Sequence, residues 1–378
     1  MKAPRKKSYA AVAGAATTIA AVLLLAACGS GGAAVSSGVD LGSAPAQAGT
    51  VKAGALKGIT LTFVSYGGIY QDGQMKAGVT PFGVASGAKI LQDGPTDNAK
   101  IKAQVTTNNV TWDVIDTTNI FAAQQCGKLF QPLDETIVDT SKIPAGGITD
   151  KCSVPAMSYG LIVVYNTKKY GANPPKSWAD FYDTKKFPGK RAIEGATGDI
   201  DPGVIEGALL ADGVLPTQMY PLDLNRALKK MSSIRKDLVF WATGAQSQQL
   251  IESGQVDMAL VWSGRGYSAV KNGASFAPMW NQWMPEADVI VVPVGAKNPK
   301  AAFAMINYYL GATEQAKLTE LTSYSPINVD SRPNLDALQQ SFSTTTPERI
   351  ADAFHLDNSW WAQNHDTVLS AYTSWLAG

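Results

Sequence analysis

The sequence predicts two α/β lobes built on mainly parallel sheets, and three observations carry that expectation. About 320 residues follow the N-terminal segments, more than a single compact core organises. From Gly58 onward, short β-branched apolar runs alternate with stretches of helical periodicity. Hydrophobic residues make up 45% of the chain, enough to fill both lobes.

At the N-terminus, Lys2, Arg5, Lys6 and Lys7 precede an Ala/Val/Leu-rich run from Tyr9 to Ala27, the layout of a secretory signal over residues 1–27. The run is near the minimum length of a membrane span, but its Ala, Gly and Thr content makes it weakly hydrophobic. The tetrapeptide Leu25-Ala26-Ala27-Cys28 resembles the lipobox of bacterial lipoproteins, which implies cleavage before Cys28 and a lipid thioether on it. Residues 28–57 are small and polar, and read as a flexible tether. Removal of the signal takes four basic residues from 32, so 28 stand against 31 acidic ones and the mature balance is −3. That balance argues against nucleic acid as a partner. Of the three cysteines, Cys28 goes to lipid, and Cys126 and Cys152 are left to pair in an oxidising compartment or to remain as buried thiols.

The first strand is expected in GITLTFVS (58–65), with others at 88–93, 112–117, 161–166, 191–195, 238–242, 257–262 and 287–293. Helical patterns lie between them, for example at 97–107, 222–236, 245–253 and 299–310. The region from about Arg332 to Gly378 is helical and aromatic, and suggests a layer packed across one lobe. In such α/β sheets ligands bind at the carboxyl ends of the strands.

Catalytic parts are scarce. The chain has only two histidines, His355 and His365, both in the C-terminal helical region, too few for a metal cluster or a histidine-activated nucleophile. Gly264-Arg265-Gly266-Tyr267-Ser268-Ala269 fits G-x-G-x-x-A after a strand, yet a dinucleotide fold needs that strand to open its first βαβ unit. No enzyme activity, cofactor or resident metal is expected.

Five segments carry a resemblance. PPKSWADFYDTKKFPGKR (174–191), VSYGGIYQD (64–72), ESGQVDMALVWSGR (252–265), VPVGAKNPKAAFAMINYYL (292–310) and SYSPIN (323–328) resemble, in the same order, segments of extracytoplasmic solute-binding proteins of the spermidine/putrescine type. The resemblance implies a two-lobe periplasmic-binding-protein-like fold of type II, with hinge strands joining the lobes and a ligand cleft between them. The corresponding division is 58–160 with 289–328 in lobe 1, and 161–288 with 329–378 in lobe 2. It also implies capture of a small amine-bearing solute and delivery to the permease subunits of an ABC importer. The chain is expected to act as a monomer, held at the membrane by its lipid.

A cleft for a small amine needs carboxylates, aromatic faces and orienting hydroxyls. By resemblance, Asp288 is the carboxylate that receives the amine, although a strand-edge carboxylate would read the same way. Trp262 and Tyr324 match cleft aromatics of the family, and Tyr66 and Tyr70 flank a Gly67-Gly68 turn where the family places aromatic contacts. Thr117, Thr118 and Asn119 follow WDVID and can donate hydrogen bonds. Asp199 and Asp201 lie near a second acidic contact, with helix capping as the competing role. Two departures from the polyamine pattern stand out: Glu286 replaces a tryptophan, and Arg265 presents a fork that can grip a carboxylate. These keep an amino-acid-like or opine-like ligand open beside a polyamine. Paired tyrosines and a carboxylate also admit a ferric-ion reading, and an exported enzyme is the most distant alternative.

If Cys28 carries the anchor, Cys28→Ser should release a folded domain from membranes, because the tether has no apolar anchor of its own. Fractionation of cells expressing the variant checks this. Retention in the membrane pellet would contradict it.

Overall fold

The computed structural model describes residues 39–378. The secretory signal, the lipobox and Cys28 lie outside the described residues. Eight strands form one sheet: β1 (Thr60–Val64), β2 (Lys89–Asp93), β3 (Val114–Thr118), β4 (Ser153–Asn166), β5 (Arg191–Glu194), β6 (Leu238–Trp241), β7 (Met258–Trp262) and β8 (Phe276–Val291). Their order across the sheet is β2-β1-β3-β8-β4-β7-β5-β6.

The pairings explain why the sheet is less parallel than the sequence suggests. β1 runs parallel to β2 and β3, and β5 runs parallel to β6 and β7. Every antiparallel pairing involves β4 or β8. These two long strands lie side by side in the middle and belong to both halves of the sheet. The sequence predicts only the 161–166 and 287–293 portions of them. The remainder carries Pro155, Gly160, Pro278 and Pro285, which interrupt the pattern of a buried strand. The ribbon absorbs its irregularity in register shifts between Pro155 and Met157 and between Leu161 and Val163.

The central strands of both halves are buried on both faces, so they read as continuous apolar runs rather than alternating ones. In the β1–β3 half, Phe63, Val114 and Ile290 face one cluster, whereas Val64, Ile115, Val289 and Val291 face another. In the β5–β7 half, Leu161, Val163, Ile193 and Leu260 face one cluster, and Ile162, Val164, Ala192 and Val261 face its opposite. Trp262 packs against three of these four clusters. That places it where the two halves meet.

The SWADF…FPGKR segment, one of the five that carry the resemblance, is structural. Ser177 caps the helix Trp178–Tyr182 by accepting from Asp180 N at 3.3 Å. The buried Arg191 guanidinium donates to Phe181 O at 2.9 Å, Gly189 O at 2.7 Å and Phe187 O, tying the turn after that helix to β5. Trp178 donates from its indole to Gln282 O at 3.1 Å and so fastens the same helix to β8.

The tether expected over 28–57 does not extend through residues 39–57. Leu56 is fully buried, and Val39, Leu41 and Val51 pack against the β1–β3 half. Gly49 N donates to Asn307 O at 2.9 Å, while Asn307 Nδ2 donates to Gln47 O and Thr50 O. The few apolar residues in a polar stretch suffice once a neighbouring helix, Pro299–Tyr309, offers a face to cover.

Cys126 and Cys152 are bonded, with Cα atoms 5.5 Å apart. The bridge joins the end of the helix Asn119–Gln125 to the residue before β4. Among the described residues no helix is long and apolar enough to cross a membrane. The C-terminal helix Asn358–Ala377 packs Trp361, Val368 and Tyr372 into the β5–β7 half, and Trp361 donates to buried Glu206 at 2.7 Å.

Candidate functional site

A cavity of about 330 Å³ opens where the parallel strands of both halves end. Its lining residues lie at or just beyond carboxyl ends: Tyr66 after β1, Thr96 after β2, Thr118 at β3, Glu194 at β5, Thr243 after β6 and Trp262 at β7. Strand polarity therefore decides where the site is, since loops and helix N-termini converge there. Asp288 and Tyr159 reach it from β8 and β4.

The structure brings Asp288, Trp262, Tyr66, Thr118, Asp199 and Asp201 to this one cavity. The other expected residues stand behind its walls. Tyr70 is buried and its hydroxyl donates to Asp116 Oδ2 at 2.7 Å. Tyr324 packs edge-on against Tyr70 at 5.1 Å and against Tyr159 at 6.2 Å. Asn119 Nδ2 donates to Glu286 Oε2 at 2.8 Å, so these two hold one another beside the cavity. Thr117 is fully buried, and its hydroxyl has no partner. Thr118 also caps the helix Asn119–Gln125.

The two acidic candidates after β5 behave differently. Asp201 is buried and accepts from the Trp262 indole N–H, which fixes its carboxyl at the cavity wall. Asp199 accepts from Asn98 Nδ2 at 3.3 Å and pairs with His365 Nε2 at 2.8 Å. It thereby links the helix Asn98–Thr106, packed on the β1–β3 half, to the C-terminal helix at the cavity mouth.

Arg265 is 1% exposed and donates from Nη2 to Gly67 O at 3.2 Å, while its Nε has no partner. That Nε lies beside Gly244, where a Cβ would stand 2.6 Å from it. Gly244 is the first residue of the helix Gly244–Glu252, whose amino end opens on the cavity. An anion held there would meet both the guanidinium and free backbone N–H groups.

The electrostatics are lopsided. Asp116, Glu194, Asp201, Glu286 and Asp288 are all buried, and Arg265 is the buried guanidinium nearest to Asp288. Burial, then the neighbouring Asp116, Asp201 and Glu286, push the Asp288 carboxyl well above its ordinary range, and Arg265 only partly opposes them. Burial likewise pushes Asp201, Glu286 and Asp116 up to about 7 each, against hydrogen bonds from Trp262, Asn119 and Tyr70 respectively. A cavity with this lining favours a cation.

Sequence reasoning missed Glu194, Tyr159 and Asn98. Glu194 ends a strand that was expected, so the carboxyl-end rule alone points to it. Tyr159 sits in the unpredicted part of β4, and Asn98 makes its contact across the mouth, which no local pattern encodes.

The G-x-G-x-x-A pattern is explained by packing. A methyl group on Gly264 would lie 2.4 Å from Tyr324 Cζ, and one on Gly266 would lie 2.9 Å from Val164 Cγ1. Both glycines allow the helix Ser263–Lys271 to press on its neighbours, with no phosphate involved.

Comparison with known proteins follows the geometry. The family model described as bacterial extracellular solute-binding protein matches residues 89–343. The gamma-aminobutyric acid-binding protein of Pseudomonas aeruginosa is 27% identical over 326 residues, covering 84% of this chain and 91% of that protein. The solved structure of the GABA receptor Atu4243 shares 39% identity at a TM-score of 0.75, over 84% of this chain and 97% of its own. The agropinic acid complex of AgtB from A. tumefaciens R10 shares 31% identity at a TM-score of 0.77, over 85% of this chain and 99% of its own.

Gly264→Ala should push the Tyr324 ring toward Trp262 and Asp288, costing about 1 to 3 kcal/mol of stability from overpacking. Thermal melts of the variant check this. A melting temperature equal to that of the parent would show that the close contact carries no constraint.

Proposed function

The chain belongs to the bacterial extracellular solute-binding proteins, and on that premise we propose that its ligand is a small zwitterion with an amine at one end and an acid at the other. Proteins of this family capture solutes for ABC importers and carry out no covalent chemistry, and the chain acts as such a component. The observation that carries the ligand class is the pairing of opposite sites in one cavity. Asp288 and Asp201 present carboxylates from the two halves of the fold, and Arg265 stands behind the wall beside Gly244, the first residue of the helix Gly244–Glu252 whose amino end opens on the same cavity. The tyrosines Tyr66 and Tyr159 and the Trp262 ring supply faces for the alkyl portion between them.

The names of the relatives agree with this class, since γ-aminobutyric acid carries one amine and one acid. Agropinic acid keeps an opine-like compound as the second choice, because the cavity of about 330 Å³ has room beyond a four-carbon chain, lined at the mouth by Thr96, Asn98 and Thr243. A pure polyamine would leave the Arg265 guanidinium without a counter-ion. The ferric-ion reading is not favoured: burial and the nearby Asp116 and Asp288 hold the Tyr66 and Tyr70 phenols well above their ordinary range, away from the tyrosinate that iron needs.

In this reading lobe 1 comprises 58–160 with 289–328, and lobe 2 comprises 161–288 with 329–378, except that Asp288, which pairs with Thr118 of β3, goes with lobe 1. Closure bends the β4–β8 ribbon, excludes water and strengthens the charge-assisted hydrogen bonds inside. A lipid on Cys28 would keep the monomer near its permease.

A thermal-shift panel of γ-aminobutyrate, other amino acids, opine-like conjugates and polyamines identifies the best compound. Asp288→Asn should then weaken its binding by about 1.5 to 3 kcal/mol, roughly ten- to a hundredfold in Kd. Arg265→Ala should weaken a zwitterion by a comparable factor, but should leave a polyamine unchanged or tighter, because a like charge is gone. Calorimetric titration of both variants checks this. Unchanged affinity in Asp288→Asn would remove the amine site, and tighter binding in Arg265→Ala would replace the zwitterion by a polyamine.

A further inference from the structure

Glu194 and Asp201 form a pair of carboxyl groups with no cation between them. Glu194 closes β5 and Asp201 follows seven residues later, before the helix Val204–Ala211. Asp201 N donates to Glu194 Oε2 at 2.7 Å, which folds the loop back and brings the Glu194 carboxyl against the Asp201 backbone, with both residues lining the same cavity. Both residues are buried, Glu194 5% and Asp201 9% exposed.

The groups facing this pair do not neutralise it. From β8 comes Asp288, another carboxyl, and from the same loop Asp199. From β4, β1 and β7 come Tyr159, Tyr66 and the Trp262 indole, all uncharged. His365, on the C-terminal helix, pairs with Asp199 and only partly offsets the Asp201 carboxyl. Tyr372, from the same helix, donates its hydroxyl to the Glu194 backbone carbonyl and leaves the carboxyl alone. Arg265 is engaged with Gly67.

Two adjacent buried carboxyls without a counter-ion cannot both ionise and instead share a proton, titrating as a unit. We propose that solute capture here is linked to proton release: the empty cleft keeps a proton on the Glu194–Asp201 pair, and the ligand's ammonium group displaces it to solvent. The inference rests on the amine-binding reading of the same cavity and deepens it. The balance is simple, since one proton leaves the pair for the buffer and one ammonium takes its place beside the resulting carboxylate. Burial raises both carboxyls, Asp201 to about 7 with Asp199 adding to the effect, and Glu194 in the same direction with Asp201 adding to it, so a proton is held below neutral pH.

The sign follows directly. Below the pair's pKa the ligand must expel a proton, so affinity rises as pH rises, by about tenfold per unit for one proton, and levels off once the pair is ionised. For stability the sign is opposite. A carboxyl raised in the folded state stabilises the empty protein below the unfolded pKa of about 4, and that contribution is lost as pH rises through about 7.

Two measurements test the proposal, one with ligand and one without. Calorimetry with γ-aminobutyrate and with putrescine at pH 6, in buffers of different ionisation enthalpy, should give an apparent heat that changes in proportion to about one proton released per ligand. Glu194→Gln should reduce that dependence, and an unchanged dependence would place the released proton on another carboxyl such as Asp288 and overturn the proposal. Buffer-independent heats in the parent protein would overturn the proposal. In the ligand-free protein, carbon-13 spectra of the side-chain carboxyls should show a group titrating near neutral pH that disappears in both Glu194→Gln and Asp201→Asn. If all carboxyls are ionised by pH 5 the proposal fails, whichever solute binds. If neither compound binds but the neutral titration is present, the choice of ligand is wrong and the proton-holding pair stands.

Discussion

Five buried carboxyl groups meet one buried guanidinium where the two halves of this fold come together, and that imbalance constrains everything around it. An empty cleft with this lining is costly to ionise, so its carboxyls hold protons or await a cation. Their hydrogen bonds are arranged accordingly. The Trp262 indole, the Asn119 amide and the Tyr70 hydroxyl each fix one carboxyl in position while adding no charge. The site is thus pre-oriented for a cation that the protein itself does not supply.

The scaffold makes such a site possible by dividing its cores. Separate hydrophobic clusters fill the two halves, and the shared elements are the long strands β4 and β8, with Trp262 packed where the clusters meet. Because the parallel strands of both halves end at the same place, each half contributes carboxylates to one cavity. Prolines and register shifts interrupt the hydrogen bonding of the ribbon that joins the two halves. Binding and closure are then one event, since a ligand that touches both halves stabilises only the arrangement that brings them together. At the mouth, Asp199 joins Asn98 and His365 across the same gap.

Much of this was legible in the sequence, for identifiable reasons. All eight expected strands match observed ones to within two residues at their shared ends, because central strands buried on both faces leave unbroken apolar runs. Trp262 and Asp201 reach the cavity because they occupy a strand end and a loop beyond one, and Asp288 because β8 pairs there with the end of β3. The rest was hidden by long-range effects. Half of β4 and most of β8 looked like loop because proline masks a strand that tolerates bulges. The segment 39–57 looked like tether because its partner helix lies some 250 residues away. Tyr70, Tyr324 and Glu286 have the right chemistry, yet the packing turns them into walls. Glu194 has the right position and was overlooked, since a lone glutamate ending a short strand carries no motif.

The central claim is that an amine is gripped between carboxylates from the two halves of the fold. A crystal structure with the compound that gives the largest thermal shift tests it most directly. The account predicts closed lobes, with the amine nitrogen about 2.7 to 3 Å from a carboxylate oxygen of Asp288 or Asp201 and an acid group at Arg265. An amine located away from both carboxylates, or a ligand bound outside this cavity, would contradict it.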